Sequence, residues 1–374
     1  MHTAHGSHPP LELHNLAFLP PRAGLSLRVG KGACVALLGI GSEQEDLDRL
    51  TDVLAGHTPS FGGQIRVGGE DVTHRPTGQR GLATLGAHAP LFPHLTLADN
   101  ILFPLRASER VSTAEAERRT TETLSLVGLD GYRAFKPGRL TAEQNLRGQL
   151  ARALVMRPEV LVLNRPFSTL DHTATTRMLA LLEKLQRAIG LSILLLTRDR
   201  TEALMAGDSI GIMDNGILLQ LATPPDLLNR PAHEQVAIAF GEANVLTGKV
   251  LYAEDDMAEL RLPTGETVDA MAGPGLEEQD LANICVSPDR ISVMFPRQTT
   301  TQQPEDNDML LCTLVSARHV GAAIHMRFRM RDGGEIIAHR PPVHTLRELE
   351  PGRVALLAWQ TANATAFPMD QKSG

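Results

Sequence analysis

Three uninterrupted apolar runs constrain this chain more than any other feature. Ala33 to Leu38 (closed by Gly39), Val160 to Leu163 and Ile193 to Leu196 have no polar side. A strand with neither face turned to water belongs in a parallel sheet covered by helices. Segments of helical character lie among them, at Ser112 to Val127, Ala142 to Met156 and Thr173 to Ile189. Strands alternating with helices of this length predict an α/β fold with crossover connections. Leu11 to Leu16 reads as a further short strand, and Leu25 to Val29 alternates at period 2 like a half-buried one.

Beyond Glu242 the texture changes. Short β-like segments recur at Leu246 to Tyr252, Ala258 to Leu262, Ile284 to Val286, Leu310 to Ser316, His325 to Met330, Glu335 to Ala338 and Val354 to Trp359. Turn signals such as Pro263-Thr264-Gly265 and Arg331-Asp332-Gly333-Gly334 separate them. This spacing predicts a small all-β domain or barrel. Arg297 to Asp308, rich in Gln, Thr and Asp, is expected to be an exposed loop. The domain plan is a tail over 1–10, an α/β domain over 11–240 and a β domain over 241–374.

A length of 374 residues accommodates both, since one domain takes about 100–200 residues and often more. The net charge of −7 lacks the basic footprint of a nucleic-acid binder. Cys34, Cys285 and Cys312 are widely scattered, which excludes a disulfide framework or a paired-cysteine metal site and suits a reducing cytosol. No stretch approaches the ~18–20 apolar residues of a membrane span, so membrane association is expected only through a partner. Met1 to Pro10 lacks the order of a signal peptide. Its His2, His5 and His8 leave a weak metal site or a disordered tail open.

Several landmarks then occur in a telling order. Gly62-Gly63-Gln64-Ile65-Arg66-Val67-Gly68-Gly69-Glu70-Asp71-Val72 precedes Leu91-Phe92-Pro93-His94-Leu95-Thr96 and Asn100-Ile101. Ala151-Arg152-Ala153-Leu154 with Arg157-Pro158, then Ser168-Thr169-Leu170-Asp171, follow. Later come Thr223-Pro224-Pro225, Gly241-Glu242-Ala243-Asn244 and Val286-Ser287-Pro288-Asp289. Together they resemble the ATP-binding subunits of ABC importers, closest to the polyamine (spermidine/putrescine) class with its C-terminal TOBE extension. The resemblance implies a P-loop NTPase cassette, with a mixed sheet and a helical subdomain, followed by a TOBE or OB-like barrel. It also implies ATP and Mg²⁺ as cofactors, and permease transmembrane subunits as partners.

The residues that would handle nucleotide depart from that family. A phosphate-binding loop needs glycine-rich backbone, a lysine for the β- and γ-phosphates and a hydroxyl for Mg²⁺. Here the strand runs into Gly39-Ile40-Gly41-Ser42-Glu43-Gln44-Glu45-Asp46. Counted from Gly39, Glu45 takes the lysine position and Asp46 the hydroxyl position. Counted back from Leu54-Ala55-Gly56, the loop is about two residues too long and Leu47 takes the lysine position. Neither register supplies a lysine. Exchanging lysine for glutamate loses one attraction and adds one repulsion, each roughly 3 kcal/mol at ~5 Å and an effective dielectric of about 20. That sum rivals the free energy of millimolar-to-micromolar binding.

The other motifs agree. The apolar strand Val160 to Leu163 should end in Asp-Glu-Pro and ends in Asn164-Arg165-Pro166. Asn164 lacks the charge that would hold Mg²⁺ through water, and Arg165 stays protonated and cannot act as a general base. The signature Leu-Ser-Gly-Gly-Gln reads Leu140-Thr141-Ala142-Glu143-Gln144, where Glu143 would bring negative charge toward a partner's γ-phosphate. The Q-loop glutamine falls at Ala87, and the H-loop histidine is replaced by Arg198. Ser168 and Asp171 of the D-loop are kept. Phe18 is the sole nearby candidate for the adenine-stacking aromatic.

The polarity of the site is thus reversed, with Glu45 and Asp46 set to face Arg165 and Arg198. Three arrangements remain open: ion pairs that close an empty pocket, side chains pointing into solvent, or arginines holding another anion. The functional expectation is a cytoplasmic cassette subunit without ATP hydrolysis. It would be peripheral to the inner membrane through a permease, as a homodimer or with an intact cassette, and would need no cofactor or metal. A divergent active ATPase and a stand-alone ligand-sensing scaffold are the alternatives.

Overall fold

The computed structural model describes residues 8–41, 45–86, 89–107, 111–296, 309–342 and 349–369. The chain divides into two compact units, Met1–Pro224 and Pro225–Gly374. Residues 1–7, 87, 42 and the loop expected over 297–308 lie outside the described residues. His8 to Pro10 do not behave as tail: Pro10 is buried and its carbonyl accepts from the Gly68 amide at 3.2 Å.

In the first unit the apolar runs become the centre of a sheet. Strands β1 (Leu11–Ala17) and β2 (Leu25–Val29) are followed by β3 (Cys34–Gly39), helix α1 (Glu45–Ala55), β4 (Gly62–Val67), β5 (Glu70–Asp71) and β6 (Leu82–Gly86). Helices α2 (Leu97–Ala107), α3 (Thr113–Leu126) and α4 (Ala142–Leu154) precede β7 (Val160–Asn164), α5 (His172–Ile189) and β8 (Ser192–Thr197). Helix α6 (Arg200–Ala206), β9 (Ser209–Asp214) and β10 (Ile217–Ala222) complete it. Among the described residues one sheet runs β10-β9-β3-β8-β7-β6, parallel except for the β9–β10 hairpin. A second, antiparallel sheet runs β2-β1-β4-β5.

The fully buried faces of β3, β7 and β8 explain the missing polar alternation in their sequences. Helix α3 starts at Ser112, whose hydroxyl accepts from the Glu115 amide at 3.3 Å, and α5 starts at Asp171, whose carboxylate accepts from Ala174 at 2.7 Å. Such caps satisfy amides that the first helical turn leaves orphaned. The D-loop residue Asp171 therefore has a structural role whatever else it does. Helix α5 ends at Gly190, in the left-handed conformation (φ 66°) that a non-glycine residue adopts at a cost.

Helix α1 is fixed at both ends. Leu47, Leu50, Val53 and Leu54 are buried in the core between the two sheets, each worth roughly 1.5–3 kcal/mol of burial. At its C-terminus the buried Arg80 donates to the carbonyls of Val53 (2.7 Å), Leu54 (3.2 Å) and Thr73 (2.9 Å). A cation at the negative end of a helix is favourable, and it ties α1 to the β4–β5 hairpin. Phe18, the candidate adenine platform, is 1% exposed in this same core and has no ring face to offer.

The second unit opens with α7 (Pro224–Asn229) and α8 (Glu234–Ala239). Strands β11 (Asn244–Glu254), β12 (Met257–Arg261), β13 (Thr267–Ala272) and β14 (Leu281–Val286) follow. Then come β15 (Ser292–Met294), β16 (Leu310–Val320), β17 (Ala323–Arg329), β18 (Glu335–Arg340), β19 (Val354–Ala358) and β20 (Ala364–Pro368). A closed barrel runs β11-β12-β13-β20-β14, and a five-stranded sheet β15-β19-β16-β17-β18 packs its apolar side into the same core. The unit boundary falls earlier than the expected 240, and the reason is α8. Its Ala237 packs with Cys285 and Phe367, and Glu234 accepts from Asn283 of β14 at 3.1 Å.

Candidate functional site

The C-terminal ends of β3, β7 and β8 bring together the loop before α1, the Asn164–Arg165 corner and Arg198. Three arginines act here, one on that loop and two on the first turn of α1. Arg165 leaves β7 in the left-handed backbone region (φ 45°), uncommon for a residue with a β-carbon, and this turns the chain sharply at the strand end. Its Nη2 donates to both carboxylate oxygens of Asp48, at 2.8 Å each. Asn164 Nδ2 donates to Oδ1 of the same carboxylate at 2.7 Å. Arg22 Nη1 donates to Asp46 Oδ2 at 3.1 Å. Arg198 Nη2 donates to the carbonyl of Gly41.

The ion pair expected across the reversed site thus exists, but with different members. Glu45 is exposed, Asp46 pairs with Arg22, and Arg198 meets a backbone carbonyl rather than a carboxylate. Asp48 takes the place given to Glu45 and Asp46. The reason is register: α1 begins only at Glu45, so the side chain that returns over the end of β7 is one further along the first turn. Of the two registers, the one counted back from Leu54-Ala55-Gly56 is the one this geometry supports. It sets Leu47 on the lysine position and Asp48 on the hydroxyl position that follows.

Glu45, Asp46 and Asp48 all lie in the first turn of α1. In a phosphate-binding loop the positive end of that helix meets a phosphate. Here the protein's own carboxylates supply the negative charge. Among the described residues the hollow bounded by Gly39, Gly41, Asp46, Leu47, Arg198 and Asn215 has a volume of ≈ 10 Å³, about enough for one water. The approach at Gly41 is close, since a β-carbon there would sit 2.7 Å from Asn215 Oδ1 and a larger residue would have to displace that side chain. This donor set does not fit Mg·ATP: Leu47 is apolar and the Asp48 carboxylate is held by Arg165 and Asn164.

The signature segment is also self-contained. Thr141 caps α4, accepting from the Gln144 amide at 3.2 Å while its own amide donates to Gln144 Oε1 at 2.9 Å, a reciprocal capping box. Ala142 and Glu143 form the first turn behind it. Glu143 does not present a bare charge. Arg177 Nη2 of α5 reaches one of its oxygens at 2.6 Å and Arg147 Nη2 the other at 2.8 Å. The hydrogen bond from Arg177, then that from Arg147, holds its carboxyl below the usual range. The expected repulsion of a partner's phosphate is therefore largely cancelled within the chain.

Two further residues hold the surrounding structure in ways the sequence did not reveal. Fully buried Asn100 accepts from the Phe92 amide (2.7 Å) and donates to the carbonyls of Phe92 (3.1 Å) and Thr96 (2.9 Å), fixing the 92–96 loop. Its place in the Leu91–Ile101 landmark was the available signal. Behind Arg198, the Thr197 hydroxyl donates to Glu202 at 2.5 Å. Burial lifts the Glu202 carboxyl above its ordinary value of 4.5, with Asp199 adding to the rise and the Thr197 hydroxyl opposing it. A raised carboxyl stabilises the fold fully below pH 4.5 and loses that contribution as pH rises through its folded value. Glu202→Gln is therefore expected to melt above the parent at neutral pH, with the difference disappearing below pH 4.5. Melting curves of both proteins across that range check it, and a difference independent of pH would refute the linkage.

Comparison with known proteins decides the family. The chain is 32% identical over 338 residues to a spermidine/putrescine import ATP-binding protein (PotA) of Rubrobacter xylanophilus, covering 90% of this chain and 86% of that protein. It belongs to the ATP-binding subunits of ABC importers. A second such protein, PotA 1 of Pseudomonas aeruginosa, is 30% identical over 312 residues, covering 83% of this chain and 82% of its own. An Fe(3+) ions import ATP-binding protein (FbpC) of Brucella abortus is 37% identical over 249 residues, covering 66% and 69%. The ABC transporter family matches residues 48–168 and the TOBE domain family residues 284–367. The cassette match opens at Asp48, after the altered loop. The α/β cassette and the β-rich TOBE unit are as expected. Ala87 and Ser42 lie outside the described residues.

Proposed function

We propose that this subunit serves a polyamine-type importer as a non-catalytic cassette, held on the cytoplasmic face of the membrane by a permease. The Asp48 bridge to Asn164 and Arg165 carries this reading. It occupies the ground where a metal and a γ-phosphate would need open ligands. Arg165, which stays protonated, stands where the resemblance implies a carboxylate base. The relatives that cover most of the chain are named for spermidine/putrescine import, which favours that solute class over iron.

What the subunit keeps is a surface for partners. Phe92, Phe103 (50% exposed) and Arg152 pack together beside the Asn100-fixed loop, with the two rings tilted at 57° and their centroids 4.9 Å apart, and the guanidinium 5.3 Å from Phe92. In these importers that region meets the transmembrane subunits. Among the described residues no helix is long and apolar enough to cross a membrane; in this reading the permease supplies the anchor. Dimerisation with an intact cassette or with a second copy belongs to the same reading. Affinity purification of the tagged full chain from detergent-extracted membranes of its own cells is expected to recover permease subunits. Recovery free of any transmembrane subunit, at native expression, would count against docking.

A further inference from the structure

A hollow of ≈ 150 Å³ lies where α5 and α6 meet the parallel sheet, and the cassette site makes no use of it. Its floor is apolar. Leu163 of β7, Ile193 and Leu195 of β8, and Leu179 and Leu182 of α5 line it, and all five are buried. Leu194 and Leu196 of β8 fill the core between the two sheets, so strand alternation turns Ile193 and Leu195 the other way, toward α5. The C-terminal corner of α6 is built from Ala206 and Gly207, and two residues this small leave the space unfilled. Cys34 completes the floor. Burial, with Asp208 adding to it, pushes its thiol up to about 12, which marks surroundings poor in water.

The mouth is polar and held by its own bonds. Asp208 Oδ2 accepts from the Cys34 amide at 2.7 Å, and the Asp208 amide donates to the Cys34 carbonyl at 2.9 Å. Gln186 Nε2 donates to the Gly32 carbonyl at 3.2 Å, and Glu183 pairs with Arg187 at 2.5 Å. These bonds leave Asp208 Oδ1 and Gln186 Oε1 as acceptors without a protein donor among the described residues. Beside them Met205 is 49% exposed, and a flexible thioether adapts to what it covers. Volume and lining together choose the ligand. Sites for small molecules combine apolar walls with a few fixed polar groups, and an apolar cavity of about 150 Å³ takes a molecule of benzene size. Water on such a floor finds few partners, so an apolar group that displaces it gains affinity. The acceptors at the mouth favour a ligand with a donor, and an anion would meet Glu183 and Asp208.

We propose that this hollow binds a small uncharged amphiphile, a single ring carrying one hydroxyl. The ring lies on the apolar floor, and the hydroxyl donates to the Asp208 or Gln186 oxygen at the mouth. The site shares no residue with the Asp48 bridge, so failure of either reading leaves the other standing.

Met205 provides the assay. The full chain, labelled with ¹³C at its methionine methyl groups, is titrated with phenol, with benzene and with sodium benzoate, and Met205→Leu identifies the Met205 signal. Phenol is expected to shift that signal saturably, with a midpoint in the millimolar range. Benzene, which lacks the donor, should bind about three- to tenfold more weakly, the factor that one net hydrogen bond contributes. Benzoate should give no saturable shift. Ala206→Leu sets a branched side chain in the hollow and should abolish the phenol response, with a melting curve showing that the variant folds. Ala206→Val, a milder filling, should weaken phenol at least about threefold. A Met205 signal that stays still, or that drifts linearly with phenol as other exposed methionines do, would overturn the proposal. So would an unchanged phenol midpoint in a folded Ala206 variant, or benzoate binding as well as phenol.

Discussion

Calorimetric titration of the purified chain with Mg·ATP is expected to give no saturable heat up to about 1 mM, a binding free energy weaker than about 4 kcal/mol. The expectation rests on three physical losses at one place. The loop has no lysine in either register, so the β- and γ-phosphate charge has no partner there. The first turn of α1 already carries Glu45, Asp46 and Asp48; the last two are neutralised by Arg22 and Arg165, while exposed Glu45 would repel a triphosphate by roughly 3 kcal/mol at close range. The Asp48 carboxylate, the one group placed to meet a metal, is held by Arg165 and Asn164. Restoring the strand-end acids by Asn164→Asp with Arg165→Glu should not rescue binding, because it would set two more carboxylates against Asp48 with no cation among them. That double variant should instead lose stability. A Mg²⁺-dependent isotherm saturating below about 100 μM in the parent chain would sink the proposed reading.

The sequence made some of this legible and left the rest obscure for physical reasons. Runs such as Val160 to Leu163 announce buried strands because burial on both faces removes the polar alternation. The ends of α3 could be placed within one residue because Ser112 is a side-chain cap with a local mechanism. The barrel was visible only in part. Strands β13 and β20 are short and rich in small residues, and they meet in parallel through Met271 and Ala272 with Thr365 and Ala366. No local pattern reports a pairing that distant. The candidate site failed in the same way. A reversed charge pattern between the loop and the end of β7 was readable, but which acid meets which arginine depends on where α1 begins. Arg22, which takes Asp46, and Arg177, which takes Glu143, are brought to their partners by tertiary structure alone. Phe18 illustrates the opposite error. An aromatic residue near the right place in sequence is far more often core than platform, and at 1% exposure it is core.

Removing Asp48 tests whether the pocket is held shut by its own charges or merely decorated with them. Asp48→Ala leaves the Arg165 guanidinium and the Asn164 amide without the carboxylate they share, in a partly enclosed cleft. Exposed ion pairs contribute about 0–1 kcal/mol, whereas breaking a fully buried pair costs about 3–5 kcal/mol. The two side chains here are 27% and 23% exposed, so the value lies between these limits. A loss of about 2 kcal/mol is expected, and the melting transition of the first unit should fall by about 4–8 °C. The decisive comparison is with the double variant. If Arg165 is costly only because it is stranded, Asp48→Ala with Arg165→Met should be more stable than Asp48→Ala alone, since the unpaired charge is gone. Melting curves of the parent, the two single variants and the double variant, repeated in about 1 M salt, give the coupling directly. Additive losses would mean that Asp48 and Arg165 do not act as a pair, and the closed pocket would then need another cause. A coupling of about 1 kcal/mol or more that survives high salt identifies a desolvated pair, because screening at that ionic strength removes exposed ones.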